Sequence, residues 1–225
     1  MHSYEIEIKC LLGSKKEADK LKREMQNADP KTKVISKNKQ LNHYFIGGDI
    51  DRLYEKVESL FNKREKAKLQ KIIKDGEDFS IRTRLLNETL FLVLKASIDD
   101  NTSANSVSRI EFEEEVNDMT LDELDLLLLE AGFDYQAKWS REREEYTCRG
   151  TNVCLDKNAG YGYIAEFERV VKNKAHAKKI QRELRGLIQE LGVRELPQDR
   201  LERMFAHYNK NWRVFYGTDK IFVIK

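Results

Sequence analysis

Long apolar stretches are missing from this chain. Runs such as Leu126–Leu129 fall far short of the ~20 apolar residues that span a bilayer as a helix. The opening Met1-His2-Ser3-Tyr4-Glu5 lacks the apolar segment of a secretory signal. Both features predict a soluble cytoplasmic protein with no membrane partner. Cysteine is scarce: Cys10, Cys148 and Cys154 form neither a CxxC pair nor an even disulfide framework, which suits a reducing compartment. No charge sign dominates, because 41 lysines and arginines face 39 aspartates and glutamates for a net charge of +2. A generally basic nucleic-acid binder is therefore not indicated, and no stable nucleic-acid partner is expected. His2, His43, His176 and His207 are scattered without metal-ligand spacing and read as surface or structural residues. Gly160 and Gly162 precede a strand pattern, not a helix, so they read as a turn and not as a dinucleotide loop.

What the chain has in abundance is charge. Charged residues make up 36% of its 225 residues and hydrophobic residues 40%. So large a charged fraction must either cover an ordinary surface or also line something inside. The length suits one domain with an appendage.

Five segments carry helical periodicity: Ser14–Gln26, Asp49–Leu69, Thr120–Ala131, Asn173–Leu191 and Gln198–Tyr208. Ser14 is a candidate N-cap, and Thr120-Leu-Asp-Glu123 is a capping-box pattern. Eight segments alternate with period two: Ser3–Cys10, Thr32–Ile46, Phe79–Leu86, Thr89–Ala96, Val107–Val116, Asp134–Thr147, Asn152–Asp156 and Tyr161–Val171. Asn87-Glu88 reads as a tight hairpin turn, Asn101–Ser108 as a loop, and Trp212–Lys225 as an extra strand or a docked tail. Glu5-Ile6-Glu7 and Glu111-Phe112-Glu113 are each followed by a helix and a long strand, an echo of two similar halves.

Residues two apart share a strand face. Glu5, Glu7 and Lys9 therefore oppose Tyr4, Ile6, Ile8 and Cys10. Arg82 and Arg84 oppose Ile81, Thr83 and Leu85, and Lys95 ends a strand whose other face is Leu90, Leu92 and Leu94. Glu111, Glu113 and Glu115 oppose Ile110 and Phe112, with Glu114 interrupting the apolar row. Glu166 and Glu168 oppose Ala165 and Phe167. Arg141 and Arg143 share a face, although Ser140, Glu142 and Glu144 leave that strand polar on both sides. The plain reading is a half-buried sheet that shows its charges to water. The sharper reading closes the sheet and turns both signs inward, which is tolerable only around a wet cavity holding cations and polyanions. Carboxylates suit magnesium or manganese, and arginines and lysines suit phosphate oxygens.

Several of these strings are recognisable together. Glu5-Ile6-Glu7-Ile8-Lys9 matches an E-x-E-x-K signature. In order there follow Phe79-Ser-Ile-Arg82-Thr-Arg84, Leu92-Val-Leu-Lys95, Arg109-Ile-Glu111-Phe-Glu113 and Arg141-Glu-Arg143-Glu-Glu-Tyr146. Cys154-Leu-Asp156 and Gly160-Tyr-Gly162-Tyr-Ile164-Ala-Glu166-Phe-Glu168 close the series. Over roughly residues 3–192 the chain resembles the CYTH superfamily, the triphosphate tunnel metalloenzymes, which includes class IV adenylate cyclases, thiamine triphosphatases and inorganic triphosphatases. The resemblance implies an α+β fold: an eight-stranded antiparallel closed β-barrel with helices packed outside. It implies a tunnel domain over 1–195 with a helical insertion at about 48–78, followed by a C-terminal helix and tail over 196–225. Glu5, Glu7, Glu111, Glu113, Glu166 and Glu168 are the implied acidic, metal-facing residues, with Mg2+ or Mn2+ as cofactor. Lys9, Arg82, Arg84, Lys95, Arg141 and Arg143 are the implied phosphate ligands. Lys9 and Glu7 are the expected catalytic residues, with the general base open between Lys9 and the metal itself. Asp156 matches a family aspartate whose role is open.

Three departures bear on function. Asn42 stands before His43-Tyr44-Phe45, where the family often has aspartate. Gly47–Asp78 exceeds the short connection of compact members, with a lid, a dimer surface or decoration as its open roles. Leu201–Tyr208 lacks the Ser-Tyr motif near the cyclases' carboxyl terminus. The expected activity is therefore metal-dependent hydrolysis of a small triphosphate: inorganic triphosphate, a nucleoside triphosphate or thiamine triphosphate. An adenylate cyclase making cyclic AMP and pyrophosphate is the runner-up. A non-catalytic module binding polyphosphate or RNA 5′-triphosphate ends is the third alternative. Whether the protein forms a homodimer is open.

Overall fold

The computed structural model describes residues 4–97, 109–171 and 173–224. Its elements are β1 (Tyr4–Leu11), α1 (Lys15–Ala28), β2 (Lys33–Gly47), α2 (Ile50–Val57), α3 (Lys63–Asp75), β3 (Glu77–Leu86), β4 (Thr89–Ser97) and β5 (Arg109–Val116). There follow α4 (Leu121–Glu130), β6 (Phe133–Cys148), β7 (Thr151–Asn158), β8 (Gly162–Val171), α5 (Ala177–Glu190) and α6 (Gln198–Phe215). The expected loop Asn101–Ser108 lies outside the described residues, as do His2, Ser3, Lys172 and the side chains of Glu5, Arg109 and Lys174.

The strands form one antiparallel sheet in the order β1-β8-β7-β6-β2-β3-β4-β5. The expected α+β composition is present. The expected closed barrel is not confirmed: among the described residues the pairings end on β1 and β5, with no ladder joining those two. The order reproduces the echo seen in the sequence, with β1-β8-β7-β6 on one side and β5-β4-β3-β2 on the other.

The chain divides into two compact units. One holds β1, α1, β2 as far as Lys39, β6 from Ser140, then β7, β8, α5 and α6. Its core gathers Ile6, Ile8, Cys10, Val153, Leu155, Ala165 and Phe167 from the strands, with Leu21 and Met25 of α1 and Leu184, Leu187 and Ile188 of α5. The helix α1 starts where Ser14 accepts a hydrogen bond from the Glu17 backbone N–H at 3.3 Å, as its sequence predicts.

The other unit holds β2 from Gln40, α2, α3, β3, β4, β5, α4 and β6 up to Trp139. Its core joins Phe45, Ile81, Leu92, Leu94 and Phe112 to Leu53, Val57, Leu69 and Ile72 of the inserted helices and Leu124 and Leu128 of α4. Fully burying a side chain of this size contributes about 1.5–3 kcal/mol. The insertion is thus part of a core. The single helix expected over Asp49–Leu69 is broken instead. After a 3-10 turn at Glu58–Leu60, Asn62 accepts from the N–H groups of Arg64 and Glu65, and Glu65 accepts from the Asn62 N–H at 3.0 Å. This capping box starts a second helix and leaves Phe61 edge-on to Phe112, ring centroids 5.2 Å apart.

Asn87, with φ 54°, turns β3 into β4 as the hairpin pattern predicts. The helix α6 runs past Tyr208 to Phe215, because Trp212 and Phe215 continue its buried stripe of Met204 and Tyr208. The tail then docks on the β7–β8 turn. Gly160 donates its N–H to Lys220 O at 3.1 Å and accepts from the Phe222 N–H at 2.8 Å. Only glycine suits that position: its φ is +78°, and a Cβ would meet Tyr208 Cδ2 at 2.8 Å.

Candidate functional site

Each unit presents one strand face on which acidic and basic side chains alternate with an apolar face turned to the core. In the first unit the face is built by β1, β8, β7 and β6. Register places Glu7 opposite Glu168, Lys9 opposite Glu166, Cys154 opposite Glu166, and Arg143 opposite Asp156. Lys9 pairs with Glu7 and, at 3.2 Å, with Glu166. Arg143 grips Asp156 with two parallel bonds, Nε to Oδ1 at 2.7 Å and Nη2 to Oδ2 at 2.6 Å. The same Nη2 reaches Glu166, and Arg141 Nη1 donates to Asp156 Oδ2 at 3.2 Å. The Asp156 side chain is 1% exposed, while Arg143 and Glu166 keep 17% each and Lys9 keeps 31%. Ligands can therefore reach the last three and not Asp156.

These neighbours set the charge states. Burial pushes the Glu166 carboxyl up, but Lys9, Arg143 and Arg141 outweigh it and hold the group well below the usual carboxylate range. Burial likewise works against the Arg143 charge, and the bonds and charges of Asp156 and Glu166 more than reverse it. Burial raises the Cys154 thiol to about 12, so this cysteine stays neutral within the charged face.

In the second unit the face is built by β2, β3, β4 and β5. Register pairs Asn42 with Arg84, Tyr44 with Arg82, and Lys95 with Glu111. Arg84 donates Nε to Asn42 Oδ1 at 3.0 Å and Nη1 to Glu113 Oε1 at 2.5 Å. Lys95 Nζ lies 3.0 Å from Glu111 Oε1. Arg82 donates Nη1 to the Tyr44 hydroxyl at 2.6 Å, and its Cζ lies 5.3 Å from that ring's centroid. Its Nε is buried and has no hydrogen-bond partner among the described residues.

The sequence-predicted residues thus fall into two sets. Glu7, Lys9, Arg141, Arg143, Glu166 and Glu168 share the first face, and Arg82, Arg84, Lys95, Glu111 and Glu113 share the second. The backbone of Glu5 continues the first face at a position opposite Val170. Among the described residues, no three His, Cys, Asp or Glu side chains gather as a ready metal cluster. The apparent exceptions to the alternation have partners outside the charged faces. Glu144 pairs with Lys22 of α1 and, at 2.9 Å, with Lys37, and Glu114 pairs with Lys68 of α3.

Sequence reasoning gave three contributors no role at the site. Asn42 and Tyr44 hold the two arginines of β3, and their alternation with the buried His43 and Phe45 was the available signal. Asp125 of α4 is 1% exposed and accepts from Thr83 Oγ1 at 2.6 Å and Tyr135 OH at 2.7 Å, with His43 Nδ1 at 2.6 Å. That network sits on the core side of the strands and gives His43 its structural role.

An eight-stranded antiparallel sheet bearing mixed acidic and basic strand faces defines the class. The CYTH-domain family profile matches residues 74–200, more than half of the chain, so the protein belongs to the CYTH-domain family. Glu5, Glu7 and Lys9 precede the matched segment. A search of the curated proteins finds no match. Among solved structures, a Pyrococcus horikoshii OT3 protein is 22% identical, with 91% of this chain and 99% of that chain covered and a TM-score of 0.57. A conserved hypothetical protein of Pyrococcus furiosus is 17% identical over 88% of this chain and 98% of that one, TM-score 0.58. A candidate adenylate cyclase of Vibrio parahaemolyticus is 12% identical over 92% and 99%, TM-score 0.58. At these identities the likeness is one of fold. No helix among the described residues is long and apolar enough to cross a membrane.

Proposed function

We propose that this protein hydrolyses a small triphosphate substrate in a reaction that depends on a divalent cation. The observation that carries the reading is Arg82. Its guanidinium is fixed by Tyr44, yet its buried Nε–H donates to no described residue. A buried donor without an acceptor costs ~1–3 kcal/mol, so the position calls for an acceptor oxygen. A phosphate oxygen is such an acceptor, and Arg84 and Lys95 on the same face can join it once they leave Glu113 and Glu111.

The first face suits phosphate and cation together. Glu7 and Glu168 stand opposite each other in register, so two carboxylates face one position at which a divalent cation can bind. Magnesium is commonly held by one or two carboxylates plus substrate phosphates and waters, so these two residues fit it without a preformed cluster of three. Glu166 is the further carboxylate of that face, and the backbone of Glu5 continues it. Magnesium or manganese held there by Glu7 and Glu168 would supply neutralisation of phosphate charge and activation of a water. Lys9, half-exposed between Glu7 and Glu166, moves from carboxylate to phosphoryl oxygen as substrate enters. Arg141 and Arg143 oppose the negative charge that spreads over the phosphoryl oxygens in the transition state.

The test is product analysis after incubation with inorganic tripolyphosphate and with ATP, each with Mg2+ or Mn2+, beside the Glu7→Gln variant. Metal-dependent orthophosphate release from tripolyphosphate that collapses in the variant is expected. Cyclic AMP and pyrophosphate from ATP would replace hydrolysis with cyclisation. Tight tripolyphosphate binding without any product, unchanged by Glu7→Gln, would reduce the protein to a binding module.

A further inference from the structure

A carboxylate on a metal-facing strand face invites assignment as a metal ligand, and Asp156 occupies such a position. Its contacts contradict that assignment. Three N–H groups already engage its two oxygens: Arg143 Nε on Oδ1, and Arg143 Nη2 with Arg141 Nη1 on Oδ2. Its side chain is 1% exposed, and the charges paired with it are the guanidiniums of Arg141 and Arg143. A cation entering there would meet two positive groups at hydrogen-bond distance in a poorly screened place. The Arg143 fork matches one carboxylate edge, which fixes the plane of the guanidinium as well as its position. With Nε and one Nη2 hydrogen on Asp156 and the other Nη2 hydrogen toward Glu166, the two hydrogens of Nη1 meet no described acceptor.

We propose that Asp156 is a positioning residue, which clamps Arg143 by the Nε–Nη2 edge and steadies Arg141 so that Arg143 Nη1 is presented to a phosphate oxygen. It acts through the arginines and touches neither metal nor substrate. The proposal deepens the triphosphatase reading and rests on it for the identity of the anion. It also sorts the two acidic partners of Arg143. Asp156, buried and doubly bonded, is the permanent counterion. Glu166, more exposed and joined to Arg143 by one bond, is the one that exchanges when ligands arrive.

The test is a double-mutant cycle on metal-free tripolyphosphate binding by calorimetry, with Asp156→Asn, Arg143→Gln and the pair. Loss of a charge-assisted bond of 1.5–3 kcal/mol corresponds to roughly ten- to hundredfold weaker binding, expected for each single variant. The pair is expected to bind no more weakly than Arg143→Gln alone, and Mn2+ affinity should be unchanged by Asp156→Asn. Additive losses, or a loss confined to Mn2+ affinity, would overturn the clamp and restore a metal-ligand role. A second measurement needs no variant: exchange of the Arg143 Nε–H in the wild-type protein by NMR. Strong protection with and without tripolyphosphate is expected, and exchange as fast as at a solvent-exposed arginine would sink the proposal. If the wild-type protein binds no tripolyphosphate, the triphosphatase reading fails, and the exchange measurement alone decides the role of Asp156.

Discussion

Glu7 on β1 and Glu168 on β8 are direct cross-strand partners, two carboxylates at one register position of an antiparallel ladder. Two carboxylates facing one position favour a divalent cation there, beyond the Lys9 ammonium already on Glu7, so divalent metal should stabilise the folded state by binding it preferentially. In thermal melts the wild-type protein is expected to gain stability from Mn2+ or Mg2+, and Glu7→Gln and Glu168→Gln to gain much less. An equal metal-induced shift in all three would place the cation elsewhere.

Arg82 separates affinity from stability. Arg82→Gln removes a buried donor that has no described acceptor, which lifts a cost of about 1–3 kcal/mol. Denaturant melts should therefore show the variant as stable as the wild type or more so. Tripolyphosphate affinity should fall about tenfold or more, as for loss of a charge-assisted contact. A variant that loses stability and keeps its affinity would show Arg82 to be structural.

Asp125 gives the opposite pattern. Asp125→Ala removes a buried carboxylate that accepts from Thr83 and Tyr135 and pairs with His43 and Lys138. Breaking such a buried network typically costs ~3–5 kcal/mol. A large drop in the unfolding midpoint is expected, with Asp125→Asn intermediate, because asparagine still accepts at one oxygen. A midpoint within experimental error of wild type for Asp125→Ala would remove the network from the list of fold-defining contacts.

Acid stability should depend on Glu144. Burial pushes its carboxyl up, but Lys22, Lys37 and Tyr146 reverse this and hold it at about 2 against an ordinary 4.5. A depressed folded-state value contributes stability above the unfolded value and loses it as pH falls through the folded one. Glu144→Gln should therefore be less stable than wild type at neutral pH. The gap should narrow between pH 4.5 and about 2 and vanish below. A gap that persists at the acid end would mean that the glutamate acts by packing and not by charge.

Much of this molecule was legible in the sequence because period two is hard to counterfeit. All eight strand patterns were present, and Glu7, Lys9, Arg82, Arg84, Lys95, Arg141 and Arg143 fell on the charged faces their parity assigned. The break in the insertion escaped detection because Ile50 to Phe61 keep helical spacing up to the residue where Asn62 restarts the count. Asp125 escaped because a lone carboxylate beside Leu124 and Leu128 carries no sign of which strands lie under it. The pairing of each basic residue with a particular glutamate escaped for a similar reason. Alternation fixes the face of a side chain, whereas the partner depends on which strands become neighbours.

The docking of the tail on Gly160 carries a consequence for handling the protein. The hairpin that bears Asp156 on one strand and Glu166 on the other is latched at its bend by residues more than fifty positions downstream. Proteolytic trimming after Tyr216 would remove both latch hydrogen bonds and the Phe222 ring that packs edge-on against Tyr161, centroids 5.1 Å apart. Damage to the carboxyl end would then be felt first as looseness in the placement of Asp156 and Glu166, well before any loss of overall folding.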